Sequence, residues 1–486
     1  MSESIQVVVI GGGPGGYAAA FLAADLGLSV ALIDKRDNPG GVCLYEGCIP
    51  SKALLHVAEV IHSAQHASQF GVAFKKPEID LNKVRAFKSD VVRKLTGGLG
   101  QLAKRRAVKF IKGTAEFLNA RQLSVKGADG EQTIDFEHAI IATGSLPTRI
   151  PVFPESERIM DSTGALELKE APDRLLVVGG GYIGLEMSTV YAALGSRVTV
   201  VEMADQLLPG TDRDLVKPLA DRLGAAVESI RLNTKVAAIR EDGKVLKVKL
   251  ESTAAESDES NQSEDPRNSK SDEQNSELVF DRVLVAAGRR PVTKGIGLEN
   301  TGVRVRDDGF IQVDAQMRTT EKSIFAIGDV AGQPMLAHKA SHEGRVAAEV
   351  IAGHKAEFDA RAIPAVVFTD PEIAYCGLTE TEARKQGRTV KVARFPWAAS
   401  GRALSLGRND GFTKLIIDPE TERVLGMAIV GPGAGELIAE GVLAIEMGAV
   451  ARDLALTIHP HPTLSETVME SAEVFFGQST HIYKPT

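Results

Sequence analysis

One pattern occurs twice in this chain: an apolar strand, a six-residue glycine turn, a helix, a second strand and an acid. The first copy runs Val7–Ile10, Gly11-Gly12-Gly13-Pro14-Gly15-Gly16, a helical stretch Tyr17–Leu26, and Ser29–Ile33 ending in Asp34. The second runs Leu175–Val178, Gly179-Gly180-Gly181-Tyr182-Ile183-Gly184, a helical pattern Leu185–Leu194, and Val198–Val201 ending in Glu202. From first glycine to acid the spacing is 23 residues in both copies. Two parallel strands need such a crossover helix. A lone GxGxxG is a weak signal, but this context makes each copy a candidate dinucleotide site. Gly11 and Gly179 permit the tight turn, and Gly13 and Gly181 let backbone approach a pyrophosphate. Gly16 and Gly184 allow close helix–strand packing. The pyrophosphate then meets a helix N-terminus, where N–H groups and the macrodipole favour an anion. Asp34 and Glu202 are placed to accept from a ribose. A carboxylate at Glu202 repels a 2′-phosphate, which favours NAD over NADP. Arg197, near in sequence, is the candidate to hold such a phosphate. The alternative, two glycine-rich turns with no ligand, is disfavoured by the match between the copies.

With 486 residues the chain is long enough for two to four domains and a large core. Its composition, 43% hydrophobic and 25% charged, is that of a globular protein. A net charge of −8 and the lack of a basic run argue against nucleic-acid binding. No eighteen-residue apolar run predicts a membrane span. The start, MSESIQ, lacks the features of a signal or transit peptide, so a cytoplasmic protein is expected. Residues 252–277 contain eight acids against two bases and no aromatic, Val, Ile or Leu, which predicts a disordered acidic surface loop. It separates Val245–Leu250 from Leu278–Phe280 and reads as an expanded hairpin connection; a regulatory or partner-binding segment is the sharper alternative. From about residue 350, strands such as Ala365–Phe368 and Phe412–Ile417 alternate with helical runs such as Glu436–Met447, which predicts a separate α+β domain.

There are three cysteines, too few for a secreted disulfide scaffold. Cys376 reads as a buried, small apolar residue. Cys43 and Cys48 lie five apart, and in a reducing compartment such a pair is catalytic or metal-binding sooner than structural. Residues five apart on a regular helix are separated by roughly 8–9 Å between Cα atoms, and a disulfide needs less than about 7 Å. An undistorted helix therefore cannot carry a disulfide here; Gly47 and Pro50 supply a bend and a break. The helical run Ala53–Val60 follows, and its N-terminus and Lys52 would favour a thiolate. The first glycine turn lies beside this pair, so it is expected to hold a flavin nucleotide.

The segment GGVCLYEGCIPSK, Gly40 to Lys52, resembles the redox motif of the dihydrolipoamide dehydrogenases, members of the pyridine-nucleotide disulfide oxidoreductases. The resemblance covers almost the whole chain except 252–277. Ala142-Thr143-Gly144-Ser145 resembles the family's crossover motif near FAD. Ala326-Ile327-Gly328-Asp329 resembles its second flavin motif, with Asp329 on the ribityl chain, and Met335-Leu336-Ala337-His338 follows the flavin ring. Ala286-Ala287-Gly288-Arg289 resembles the return strand near the nicotinamide. Glu186 resembles the partner of Lys52. Gly113 and Val236 are further cofactor-binding positions under the same resemblance. Val42, Tyr45 and Glu46 depart from the commoner choices, as does Val292. Near the C-terminus, His459-Pro460-His461-Pro462-Thr463-Leu464-Ser465-Glu466 resembles the HPTxxE motif, with His461 as base, Glu466 as its orienter, and His459 without that role. A histidine held by a carboxylate is oriented and made more basic.

The resemblance implies an α/β fold: two Rossmann-like dinucleotide-binding domains plus a C-terminal α+β dimerisation domain. The implied boundaries are 1–150 and 281–350 for FAD, 151–280 for NAD, and 351–486 for the dimer interface. It also implies an enzyme using FAD and NAD with no metal, in which the dyad of one subunit serves the cysteines of the other. The implied reaction oxidises dihydrolipoamide and reduces NAD+: Cys43 exchanges with the thiol substrate and Cys48 faces the flavin. The implied partner is the lipoyl domain of a 2-oxo acid dehydrogenase complex or of the glycine cleavage system. A relative that reduces another disulfide is the enzymatic rival. A flavoprotein subunit without turnover is the rival from another class, disfavoured by the presence of Cys43, Cys48, His461 and Glu466 together.

Overall fold

The computed structural model describes residues 5–128, 130–253 and 277–483. Its contacts divide the chain into two compact units. The first comprises Met1–Leu54, Asp80–Thr148 and Gly288–Asp359; the second comprises Leu55–Ile79, Arg149–Ala287 and Ala360–Thr486.

The first unit is built on the strand Ile5–Ile10. It pairs in parallel with Val30–Asp34 on one side and with the end of Gly130–Ile141 on the other. Lys109–Lys112 and Ile324–Ala326 extend the sheet, also in parallel. The near-continuous apolar run IQVVVI suits a strand buried on both faces. The start of the long strand Gly130–Ile141 instead joins Gln122–Gly127 and Thr114–Asn119 in an antiparallel meander. Helices Pro14–Asp25 and Ala337–Ile351 pack closely because glycines face each other. A Cβ at Gly15 would lie 2.8 Å from Ala340 O, and one at Gly344 would lie 2.5 Å from Gly15 O.

The second unit repeats the theme and adds to it. Ser229–Arg231, Arg197–Val201, Arg174–Val178, Arg282–Val285 and Ile159–Met160 form a parallel sheet in that order. Thr234–Asp242, Val245–Ser252 and Glu277–Phe280 form an antiparallel ladder. The expected hairpin across the acidic segment is therefore present, with Leu246 opposite Phe280 and Lys249 opposite Glu277. The expected bounds of disorder, 252–277, are too wide. Ser252 and Glu277 lie in strands, and Thr253 donates its N–H to Asn233 O and its hydroxyl to Met203 O. Backbone pairing holds these ends in place despite their polarity. The rest of that expectation, residues 254–276, lies outside the described residues.

The C-terminal part is α+β, as expected. Five antiparallel strands run in the order Ala365–Val367, Ile373–Gly377, Val424–Val430, Phe412–Ile417, Lys391–Pro396. Helices Ala434–Met447 and Glu466–Phe476 complete its core. Trp397 is fully buried, with its indole N–H on Thr413 Oγ1 at 3.1 Å. Cys376 is buried in this core, and burial pushes its thiol up to about 12, so it behaves as an inert apolar residue. No described helix is long and apolar enough to cross a membrane.

Candidate active site

Both glycine turns adopt the geometry their sequence demands. Gly11 and Gly179 have φ of +106° and +111°, conformations open to glycine. A Cβ at Gly16 would stand 1.8 Å from Gly11 O, and one at Gly184 2.1 Å from Gly179 O. Helices Pro14–Asp25 and Tyr182–Ala193 begin without a side-chain cap, so their first-turn amides keep an open end for an anion. Among the described residues, and leaving aside each glycine's chain neighbours, the nearest atom to a Cβ built on Gly13 is Gly41 Cα at 4.0 Å, and none lies within 4 Å at Gly181. These cradles fit a dinucleotide pyrophosphate. The acids do more than expected. Asp34 Oδ2 accepts from Gly12 N and Glu202 Oε2 from Gly180 N, both at 2.7 Å, so each acid also closes its own turn. Each carboxylate keeps lone pairs for a ribose. Arg197 is not a phosphate ligand of this cradle. It opens the strand Arg197–Val201 that Glu202 follows, about 16 Å away at strand rise, and pairs with Asp173.

The cysteines sit on two helices, Gly41–Glu46 and Cys48–His66, broken at Gly47. At Gly47 φ and ψ are −143° and −113°, and a Cβ there would meet Val42 O at 2.9 Å. Pro50 does not break the helix as expected. It is the third residue of Cys48–His66, where a missing N–H leaves no intrahelical bond unmade. Both cysteines stand in the thiol form, with their side chains hydrogen-bonded to each other. The bond with Cys48 and then burial push the Cys43 thiol up. Cys48 opens its helix, where the dipole favours a thiolate. Lys52 Nζ donates to Ser51 Oγ at 3.3 Å. The cysteine helix locks onto the first glycine turn: Gly40 N donates to Gly12 O at 2.7 Å, and a Cβ on Gly41 would meet Gly13 Cα at 2.4 Å. Tyr45 and Glu46 find their reason in Arg36, which stacks over the Tyr45 ring at 4.5 Å and pairs with Glu46 at 2.7 Å.

In the first unit Ser145 Oγ donates to Asp329 Oδ2 at 2.5 Å, and Thr143 Oγ1 to Val292 O at 2.7 Å. Gly144 turns with φ of +72°. Gly113 N donates to Asp34 O at 2.9 Å, which places Gly113 beside the first acid. Leu336 caps and Ala337 and His338 open the helix Ala337–Ile351, and Met335 N donates to Gln333 Oε1. Gly288 turns with φ of +97°. In the second unit Glu186 is buried and accepts from Phe368 N at 3.2 Å. Val236 lies at an irregularity of the ladder opposite Leu250. His461 Nδ1 meets Glu466 Oε1 at 2.8 Å, while Thr463 N donates to Glu466 Oε2 at 2.8 Å. Burial raises the affinity of Glu466 for a proton, but these two bonds more than offset it and hold the carboxyl below its usual range.

Sequence reasoning missed four features. Arg289 donates to Ser145 Oγ and O at 2.8 and 2.7 Å. Glu343 accepts from Gly328 N and pairs with buried Lys339 at 2.6 Å. Tyr17 has its hydroxyl pushed up, first by burial and then by the two cysteine sulfurs, so it borders the couple. Lys414 is fully buried among Asp212, Asp214 and Glu380, at 2.7–2.9 Å from each. Those three carboxylates lie close enough to hold a metal ion, but the lysine ammonium already neutralises part of their charge. Lys339 and Glu343 stand four apart on one helix, a spacing that offers an ion pair but not its burial; the other three link positions far apart in the chain and had no sequence signal beyond residue type.

The sequence model of the pyridine nucleotide-disulphide oxidoreductase family matches residues 5–344. The chain belongs to this family. The family's dimerisation domain matches residues 363–472. Curated relatives named dihydrolipoyl dehydrogenase include those of Vibrio cholerae, 50% identical over 99% of this chain and 98% of the relative, and Geobacillus stearothermophilus, 46% identical over 98% and 97%. Among solved structures, LpdA from Mycobacterium tuberculosis superposes with a TM-score of 0.86 at 27% identity over 96% of this chain and 99% of that one. A Cu(II) complex of an HOCl-induced flavoprotein disulfide reductase from Escherichia coli gives 0.83 at 30% identity, over 97% and 99%. As a pyridine nucleotide-disulphide oxidoreductase the chain uses FAD and NAD, and with the family's dimerisation domain it forms a homodimer.

Proposed function

We propose that this oxidoreductase converts protein-bound dihydrolipoamide to lipoamide and reduces NAD+ to NADH through the Cys43–Cys48 couple. The observation that carries the reading is the hydrogen-bonded thiol pair locked onto the first glycine turn, in a chain 50% identical to a dihydrolipoyl dehydrogenase. The first cradle (Gly11, Gly13, Gly16, Asp34) would hold FAD, bordered by Lys52, Gly113, Thr143, Gly144, Ser145, Asp329 and the segment Met335–His338. The second (Gly179, Gly181, Gly184, Glu202) would hold NAD, with Glu186, Val236 and Gly288 nearby. The corresponding domains are 1–150 with 281–350, 151–280, and the interface domain 351–486. When bound, FAD relays electrons between sulfur and the nicotinamide.

The chain's own residues do the rest. Glu466 holds the Nδ1–H of His461, which leaves the Nε2 lone pair to take a proton from the substrate thiol. The substrate thiolate attacks the Cys43 sulfur of the disulfide; the Cys43–Cys48 bond breaks and Cys48 leaves as thiolate. The second substrate thiol, losing its proton, then displaces Cys43, which closes the lipoamide disulfide and leaves the couple reduced. Cys43 takes up the proton that the second substrate thiol gives up while His461 keeps the first, so the reduced couple holds one proton and one negative charge, which rests on Cys48 at its helix N-terminus. The base is supplied across the homodimer. The electron donor is the lipoyl domain of a 2-oxo acid dehydrogenase complex or of the glycine cleavage system, in the cytoplasm. Steady-state turnover of dihydrolipoamide with NAD and with NADP tests this. The reading expects NAD to win; faster NADP turnover, or none with dihydrolipoamide, defeats it.

A further inference from the structure

Two histidines flank Pro460 and use their rings in opposite ways. His461 is 78% exposed and commits Nδ1 to Glu466. The His459 ring is 5% exposed; its Nδ1 lies 2.9 Å from Thr457 O and its Nε2 2.8 Å from Glu440 Oε1. A backbone carbonyl and a carboxylate only accept, so both ring nitrogens of His459 must carry a hydrogen if Glu440 is ionised. Both ring nitrogens of His459 are thus engaged within the fold, two residues from a histidine that commits only Nδ1, to Glu466.

We propose that His459 is a positioning residue for the base. It ties the start of the loop to helix Ala434–Met447 through Glu440, while Glu466, at the start of helix Glu466–Phe476, ties the other end through His461 and Thr463. Pro460 and Pro462 stiffen the short span between the two ties. The charged groups brought to the loop are Glu440 from one helix, Glu466 from the other, and His481, which follows that second helix and acts on Glu466. The loop is thus clamped at both ends, and His461 Nε2 is its one lone pair poised for a thiol proton. The inference rests on His461 acting as the base in the reaction proposed above.

The test uses three FAD-loaded enzymes: the unaltered chain, His459→Met and Glu440→Gln. Methionine breaks both bonds. Glutamine at 440 donates to a neutral His459, which rebuilds both bonds without charge. For His459→Met, dihydrolipoamide turnover should fall about tenfold or more, since small misplacements of a reacting group have effects of that order. NADH oxidation by ferricyanide, which draws electrons past the thiol step, should stay unchanged. The acid limb of kcat/KM for dihydrolipoamide should move in His459→Met and return in Glu440→Gln. His459→Met with native turnover and pH profile, or Glu440→Gln as damaged as His459→Met, overturns the proposal. Nitrogen-15 NMR of histidine-labelled enzyme needs no substrate, so it separates this proposal from the functional reading. The His461 ring signals should shift in His459→Met and return toward their unaltered position in Glu440→Gln, and signals unmoved in His459→Met overturn the proposal.

Discussion

The two glycine cradles are near copies of each other down to single hydrogen bonds. Asp34 and Glu202 each accept from the second glycine of their turn at 2.7 Å, and each accepts again from the amide two residues on. Gly40 N and Leu208 N donate to equivalent carbonyls, Gly12 O and Gly180 O. Beyond that point the copies part. In the first, the chain turns directly into the cysteine helix, so that Gly41 covers Gly13. In the second, the chain runs to Asp212 and helix Arg213–Ala226, anchored by Lys414, and Gly181 stays open. The first cradle is thus packed against the segment that carries the redox couple, and the second is not.

The largest expected effect tests the closed side. Cys48→Ser should abolish dihydrolipoamide oxidation, a loss of at least about a thousandfold because the couple has no substitute, while NADH–ferricyanide activity persists. Retained turnover would mean the couple does not sit on the electron path. Lys414→Met tests the anchor of the open side. Removing one partner of a buried ion cluster costs about 3–5 kcal/mol, read from denaturant unfolding; an unchanged midpoint would show the cluster to be dispensable.

The same cluster sets a pH window. Burial raises the Asp212 pKa, but bonds from Thr381 and Lys414 outweigh it and leave the pKa lowered. Its stabilisation is complete above the ordinary aspartate range and fades as pH falls through the depressed value. Burial lowers the Lys414 pKa, and its three carboxylates outweigh that and raise it. Its share is complete below the ordinary lysine range and is lost as pH rises through the raised value. Calorimetry across pH should therefore find the Lys414→Met penalty largest near neutrality and smaller at the acid extreme; a flat difference would contradict this.

Glu202→Ala should raise the KM for NAD about tenfold by removing the ribose acceptor and the tie to Gly180, and should narrow the gap to NADP. An unaltered NAD/NADP ratio would remove Glu202 from specificity. The smallest expected effect is on the clasp over the closed cradle. Arg36→Ala, which releases Tyr45 and Glu46, should lower apparent FAD affinity by a few fold, in keeping with a partly exposed ion pair and cation–π contact of about 0.5–1 kcal/mol each. FAD retention measured through gel filtration checks it.

Much of this was legible because the requirements are local. The φ > 0 of Gly11 and Gly179, and the bond from each acid back to its turn, are satisfied within a single strand–helix–strand unit. The break between Cys43 and Cys48 followed from helix geometry, and structure assigned it to Gly47 alone, with Pro50 absorbed in a first turn. His461 and Glu466 are five residues apart, so their pairing needed only a tight loop. The ends of the acidic insertion were misjudged because composition reports solubility, whereas Ser252 and Glu277 are held by backbone pairing that composition does not register.

The sequence by itself determined two cradles, a sulfur couple beside the first, and a histidine–carboxylate dyad, because each is written in backbone conformations and side-chain spacings within a few dozen residues. Tertiary structure alone decided that Lys414 gathers three acids, that Arg289 braces Ser145 against Asp329, and that His459 rather than His461 has both ring nitrogens occupied. Such pairings depend on which polar groups are driven out of water together. That is settled only when segments distant in the chain pack and leave each buried charge to find its partner.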